Sequence, residues 1–133
     1  MANAAQDGTD KRTGPAKGLR VLVVEDDPDA LSTTVEMLQL LGHWAAGVRS
    51  AEIAKDRYLD GAFDVLLTDI GLPGLSGMDL VESLRARHKL EVIFATGRAP
   101  PETPIPDSYW LQKPFSLEQL EAVLARVMPR VEA

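Results

Sequence analysis

The feature that most confines this chain is an alternation. Short runs of consecutive apolar residues, each cut off by acids, glycine or proline, take turns with stretches whose apolar residues recur at three- and four-residue intervals. The text from Leu19, LRVLVVEDDPDA, is a Val-rich run that stops at Glu25, Asp26, Asp27 and Pro28. A continuous apolar run of that length reads as a strand buried on both faces, ending in a charged loop. Next, Ala30, Leu31, Thr34, Val35, Leu38 and Leu41 trace one face of a helix, with Pro28 near its start and Gly42 at its end. The pattern repeats with a short strand over 44–48, a helix over 51–59 capped by Ser50, and a strong strand FDVLLTD ending at Asp69. After the loop IGLPGLSG come a helix striped by Met78, Leu80, Val81 and Leu84 and the strand EVIFATG. The rhythm then breaks. GRAPPETPIPD holds Pro100, Pro101, Pro104 and Pro106, and prolines at that density forbid a helix interior, so a helix there is missing or very short. A short strand over 109–111 comes next, and then a helix over 117–128, capped by Ser116 and carrying Leu117, Leu120, Val123, Leu124 and Val127.

Strands that alternate with helices and are apolar throughout predict an α/β fold, a parallel sheet of five strands with helices on both faces. Right-handed crossovers make it doubly wound. At 133 residues there is room for one core, and 45% hydrophobic with 26% charged residues suits a folded globular domain. Residues 1–18 contain no Leu, Ile, Val or Phe and are expected to form a disordered leader, with the domain over 19–130. The absence of cysteine excludes a disulfide scaffold, thiolate zinc ligation and thiol catalysis. A net charge of -6 disfavours nucleic acid and anionic membranes as partners, because both are held through clustered Lys and Arg. No apolar run reaches the roughly 18 residues of a bilayer span and no signal peptide succeeds Met1, so a cytoplasmic location is expected.

In doubly wound sheets the chemistry gathers at the carboxyl ends of the strands. Here the first strand ends in Glu25 and Asp26, the third in Asp69 and the fourth in Thr96, while Lys113 and Pro114 come after the fifth. Carboxylates converging on one rim repel each other unless a cation neutralises them, and oxygen-only ligation suits a hard ion such as Mg2+. With such an ion, one carboxylate can attack phosphorus while a lysine ammonium and a threonine hydroxyl share the charge on the phosphoryl oxygens. These are the parts of an acyl-phosphate site.

The four strings VVED, TDIGLPGLSG, FATG and KPF, in this order, resemble the receiver domain of two-component response regulators over roughly residues 19–128. The resemblance implies a flavodoxin-like sheet of order 2-1-3-4-5. It implies Asp69 as phosphoacceptor, Glu25 and Asp26 as the acidic pair, Thr96 as the switch hydroxyl and Lys113 as the phosphate-contacting lysine. Asp26, Asp69 and the carbonyl of Gly71 would ligate Mg2+, with Glu25 acting through water. The Lys113–Pro114 bond resembles the family's cis peptide. Trp110 stands where the family carries an aromatic switch, commonly Tyr or Phe, and its bulk implies permanent packing. The FATG string and the missing helix are similar to a receiver subgroup with a Phe-Ala-Thr-Gly signature, and to receivers of hybrid histidine kinases, with Arg98 as a departure.

Asp27 is expected to cap the helix at Pro28, and His43 and His88 to lie on the surface without a ligand role. The function expected is that of a single-domain response regulator that takes a phosphoryl group from a sensor histidine kinase or a histidine phosphotransfer protein. It is not expected to be an enzyme beyond self-phosphorylation from small donors and slow autodephosphorylation. Output would pass to a downstream protein or shuttle phosphate onward, from a monomer or a phosphorylation-dependent dimer. The alternatives are a non-phosphorylating binding module of the same fold and a receiver excised from a hybrid kinase. A Mg2+-dependent aspartyl phosphatase would want a second Asp where Gly71 stands, and a flavin mononucleotide carrier would set its phosphate against EDDPD.

Overall fold

The structure, a computed structural model, describes residues 18–58 and 61–132. The leader expected at the N-terminus, apart from Gly18, lies outside the described residues, and the second helix ends at Arg57, short of the expected Leu59, because the backbone is already extended at Tyr58. The elements run β1 (Arg20–Val24), α1 (Pro28–Leu40), β2 (Trp44–Val48), α2 (Ala51–Arg57), β3 (Val65–Thr68), α3 (Gly77–Arg85), β4 (Glu91–Thr96), β5 (Ser108–Gln112) and α4 (Leu117–Glu132). The five strands are all parallel, in the order β2-β1-β3-β4-β5.

The continuous apolar runs are divided between two cores by the period of the strand. Leu22, Val24, Leu66, Val92 and Phe94 face α2 and α3, meeting Ala51, Ala54, Leu80 and Leu84. Val21, Val23, Val65, Leu67, Ile93 and Ala95 face the other way, meeting Leu38 of α1 and Leu120, Val123, Leu124 and Val127 of α4. A strand with one polar face could not satisfy both layers, which is why these runs show no alternation.

Local signals set the helix starts. Asp27 caps α1, its carboxylate accepting from the Asp29 N–H, and Ser50 caps α2 through the Ile53 N–H. Ser76 and Asp79 form a reciprocal capping box on α3. Among the described residues, no helix lies between β4 and β5. The carbonyls of Pro106 and Asp107 are instead gathered by the Arg85 guanidinium from α3, and Ser108 Oγ donates to the Ile105 carbonyl at 2.6 Å.

Three further expectations need correction. The last helix does not stop at Met128 but continues through Pro129 to Glu132. Pro129 and Ala125, whose carbonyl loses its helical donor, are both exposed, while Met128 and Val131 pack on the core and Arg130 pairs with Glu91 at 3.1 Å. His43 is half-buried, and its Nδ1 accepts the Leu19 N–H at 2.9 Å. His88 is half-buried against the Tyr58 ring, with centroids 4.6 Å apart.

Candidate phosphoacceptor site

The register of β1 on β3 pairs Val24 with Thr68, so the next residues, Glu25 and Asp69, emerge side by side at the carboxyl edge. Asp69 N–H donates to the Val24 carbonyl at 3.1 Å and Glu25 N–H to the Val48 carbonyl at 3.1 Å, which ties both acids to the sheet before their loops depart. Ligand oxygens of Glu25, Asp26 and Asp69 lie within 4.8 Å of one another. Glu25 is buried, Asp69 half-buried, and Asp26 is the most open of the three to solvent.

Lys113 reaches this cluster from the far side. Its backbone N–H donates to the Thr96 carbonyl at 2.8 Å, and the Lys113–Pro114 peptide is cis. Its Nζ donates to Glu25 Oε1 and, at 2.9 Å, to Asp69 Oδ2. Burial works against the charged ammonium, but the hydrogen bonds to Glu25 and Asp69 outweigh it and hold the lysine above its ordinary pKa. The other oxygen of Asp69, Oδ1, accepts from the N–H groups of Ile70 at 2.7 Å and Gly71 at 3.3 Å. Glu25 Oε2 accepts from the Asp27 N–H at 3.2 Å.

Formally, three carboxylates stand against one ammonium, which leaves two negative charges uncompensated. An all-oxygen donor set with that excess fits one hard divalent cation. Asp26, the most open of the acids, is also the one that Lys113 does not touch.

Thr96 closes β4 beside the cluster, buried, with its Oγ1 accepting from the Arg98 N–H at 3.4 Å. Trp110 is half-buried on β5. Its ring centroid is 6.0 Å from that of Phe94, and its Nε1–H donates to the Arg98 carbonyl at 3.0 Å. The structure thus gathers Glu25, Asp26, Asp69 and Lys113 directly, and sets Thr96 and Trp110 around the adjoining loop.

A family match decides where this chain belongs: the response regulator receiver domain family matches residues 21–125. The chain belongs to that family. It is 33% identical over 119 residues to the two-component response regulator PhoP of Pseudomonas aeruginosa, covering 84% of this chain and 52% of that protein. It is 31% identical over 117 residues to the transcriptional regulatory protein CpxR of Escherichia coli, covering 84% and 50%. The chain therefore spans about half the length of these curated relatives. Among solved structures it resembles the chemotaxis response regulator CheY4 of Vibrio cholerae, with a TM-score of 0.72 and 25% identity over 83% of this chain and 98% of that one. The HemR receiver domain of Leptospira biflexa superposes with a TM-score of 0.71 and 27% identity, over 83% and 94%.

Two residues that brace this receiver's acid loop were missed in the reading of the sequence. A Cβ on Gly77 would stand 2.0 Å from the Asp69 carbonyl oxygen, so the start of α3 presses on the backbone of Asp69. Glu52 of α2 accepts the Leu75 N–H at 3.0 Å, a bond that lowers its pKa and pins the same loop from outside. A glycine at the first position of a helix could have flagged the first; the second joins residues too far apart in sequence to be read.

Proposed function

We propose that this receiver accepts a phosphoryl group onto Asp69 from a phosphohistidine of a sensor histidine kinase or a histidine phosphotransfer protein, in the presence of Mg2+. The observation that carries the proposal is the contact of Asp69 Oδ2 with Lys113 Nζ at 2.9 Å inside a cluster that also holds Glu25 and Asp26. An Asp69 carboxylate oxygen bonds to phosphorus, the bond from phosphorus to the donor imidazole nitrogen breaks, and the imidazole leaves with its electron pair and takes a proton from solvent. Lys113 balances charge on the phosphoryl oxygens as it now balances Glu25 and Asp69. The Ile70 and Gly71 N–H groups hold the reacting carboxylate in one orientation. Asp26 and Asp69, with the Gly71 carbonyl, would hold Mg2+, and Glu25 would act through water. When bound, the ion supplies the positive charge that offsets the approach of one anion to another. Thr96 would turn its hydroxyl from Arg98 toward the new phosphoryl oxygens. Beyond accepting phosphate and losing it slowly, the chain would be no enzyme; its output would pass to another protein or shuttle the phosphoryl group onward.

The test is intact mass after incubation with Mg2+ and acetyl phosphate. One phosphoryl adduct is expected, absent with EDTA and absent in Asp69→Asn, whose amide keeps the shape and removes the nucleophile. Persistence of the adduct in that variant would place the acceptor elsewhere. No adduct under any condition would favour a binding module that does not phosphorylate.

A further inference from the structure

The sheet ends on one side at β2, and that strand carries none of the usual defences of an edge. Edge strands are commonly guarded by charged side chains, proline or a bulge, because their outward N–H and C=O groups invite another strand. Trp44, Ala45, Ala46, Gly47 and Val48 include no charge and no proline, and their register on β1 runs without a bulge. The bonds at the two ends of β2 show which groups point outward. Trp44 N–H donates to the Leu19 carbonyl at 2.9 Å, and the Val48 carbonyl accepts the Glu25 N–H at 3.1 Å. Residues 44, 46 and 48 therefore turn their backbone polar groups toward β1. Ala45 and Gly47 turn theirs away from the sheet, and no other described residue bonds them. Apolar surface lies beside these groups, since Leu40 and Trp44, at 78% and 49%, are the most exposed large hydrophobic side chains among the described residues.

We propose that β2 pairs antiparallel with β2 of a second copy of this chain, across a two-fold axis at Ala46, so that the two sheets become one. The strand is self-complementary in that register. Ala45 meets Gly47 of the second copy, Gly47 meets Ala45 of the second copy, and each pair exchanges N–H to carbonyl bonds between groups that otherwise face solvent. A shift of one residue would set the outward groups against backbone already bonded to β1. A shift of two would carry a pair off the strand, onto His43, whose N–H is taken by the Leu38 carbonyl, or onto Arg49, which lies beyond β2. In the proposed register Trp44 stands across from Val48 of the second copy, apolar against apolar. A second copy suits this edge better than an unrelated peptide, because both strands are already extended in their own sheets and neither has to be ordered before pairing. Five residues a side fall well short of the roughly 20–30 of a standard interface, so the pairing is weak and reversible.

The full chain has no cysteine, so a single one reports the register. Ala46 would face Ala46 of the second copy in a non-hydrogen-bonded pair, with Cα atoms about 4.5 Å apart, inside the span of a disulfide. The two Ala45 residues would be diagonal to each other, beyond about 7 Å, where a disulfide cannot close. With diamide as oxidant, Ala46→Cys is expected to form a covalent dimer at least about tenfold faster than Ala45→Cys. Equal rates, or a faster Ala45→Cys, would overturn the proposal. Sedimentation equilibrium of wild type gives a second reading, with the average mass climbing from that of a monomer at about 10 µM toward that of a dimer at about 1 mM. Ala45→Pro removes an outward N–H without touching a bond to β1, and is expected to remain a monomer over the same range, with its urea transition showing that it is folded. Wild type that stays monomeric at about 1 mM would overturn the pairing. Dimerisation of equal strength in folded Ala45→Pro would place the contact on another surface and overturn it as well.

Discussion

Within the site, the three acids differ in what already holds them, and that difference assigns their work. Glu25 is buried and held by Lys113 and the Asp27 N–H, while Asp69 has an oxygen on Lys113 and the other on two backbone N–H groups. Asp26 is left to face solvent and an incoming cation. Asp26→Asn is therefore expected to weaken Mg2+ binding by at least about tenfold, because it removes a ligand charge from a site of few charges. The check is a Mg2+ titration followed by Trp fluorescence, with Trp110 the indole nearer the site. Unchanged affinity would remove Asp26 from the ligand set. The same scale shows what a single sequence reveals. Glu25, Asp26, Asp69, Thr96 and Lys113 were legible because each ends or succeeds a strand, and strand ends can be read from local apolar runs. The bond between the Trp110 indole and the Arg98 carbonyl was not legible, because it depends on how β5 and the preceding loop fold over each other.

Elements place those residues, and the start of α3 has little slack. Gly77→Ala would set a Cβ 2.0 Å from the Asp69 carbonyl oxygen and 2.9 Å from its carbonyl carbon. Both are backbone atoms, so the β3–α3 loop must move rather than a side chain turn aside. The expected loss is about 1–3 kcal/mol, as for other overpacked sites, together with a lower yield of phosphoryl adduct. Gly97→Ala is the control. Its Cβ would meet nothing within 4 Å, so its urea midpoint should match wild type within about 0.5 kcal/mol. Equal midpoints in the two variants would show that the close approach at Gly77 is not a constraint. The elements themselves were largely readable in advance, since β1, β3 and β4 are unbroken apolar runs and the four prolines of the β4–β5 loop cannot enter a helix. The course of α4 past Pro129 was not, because it is decided by partners on distant segments. Met128 and Val131 pack on the second core, and Arg130 is drawn to Glu91 and Asp107. Local propensity argued for a stop, and tertiary contacts overrode it.

Across the whole molecule, the two edges of the sheet are built on opposite electrostatic plans. At the amino edge the charges are matched internally: Arg20 bonds Asp64 at 2.9 Å, which raises the pKa of the guanidinium, and Glu91 bonds Arg130 at 3.1 Å. At the carboxyl edge acids outnumber the one lysine that meets them. The matched edge also holds His43, whose Nδ1 accepts the Leu19 N–H at 2.9 Å and so joins the start of β2 to the residue before β1. An imidazole can accept that bond only while neutral, and burial lowers its pKa below the ordinary 6.5. The folded chain therefore takes up a proton at lower pH than the unfolded chain. Its contribution to stability is present in full above about pH 6.5 and is lost as pH falls through the folded value. His43→Asn offers an amide oxygen in place of Nδ1 and does not titrate. Urea midpoints of wild type and His43→Asn measured from about pH 7.5 to about pH 5 should show wild type losing stability relative to the variant as the pH drops, the carboxylates common to both cancelling in the difference. A difference that stays constant over that range would mean that His43 does not couple protonation to folding.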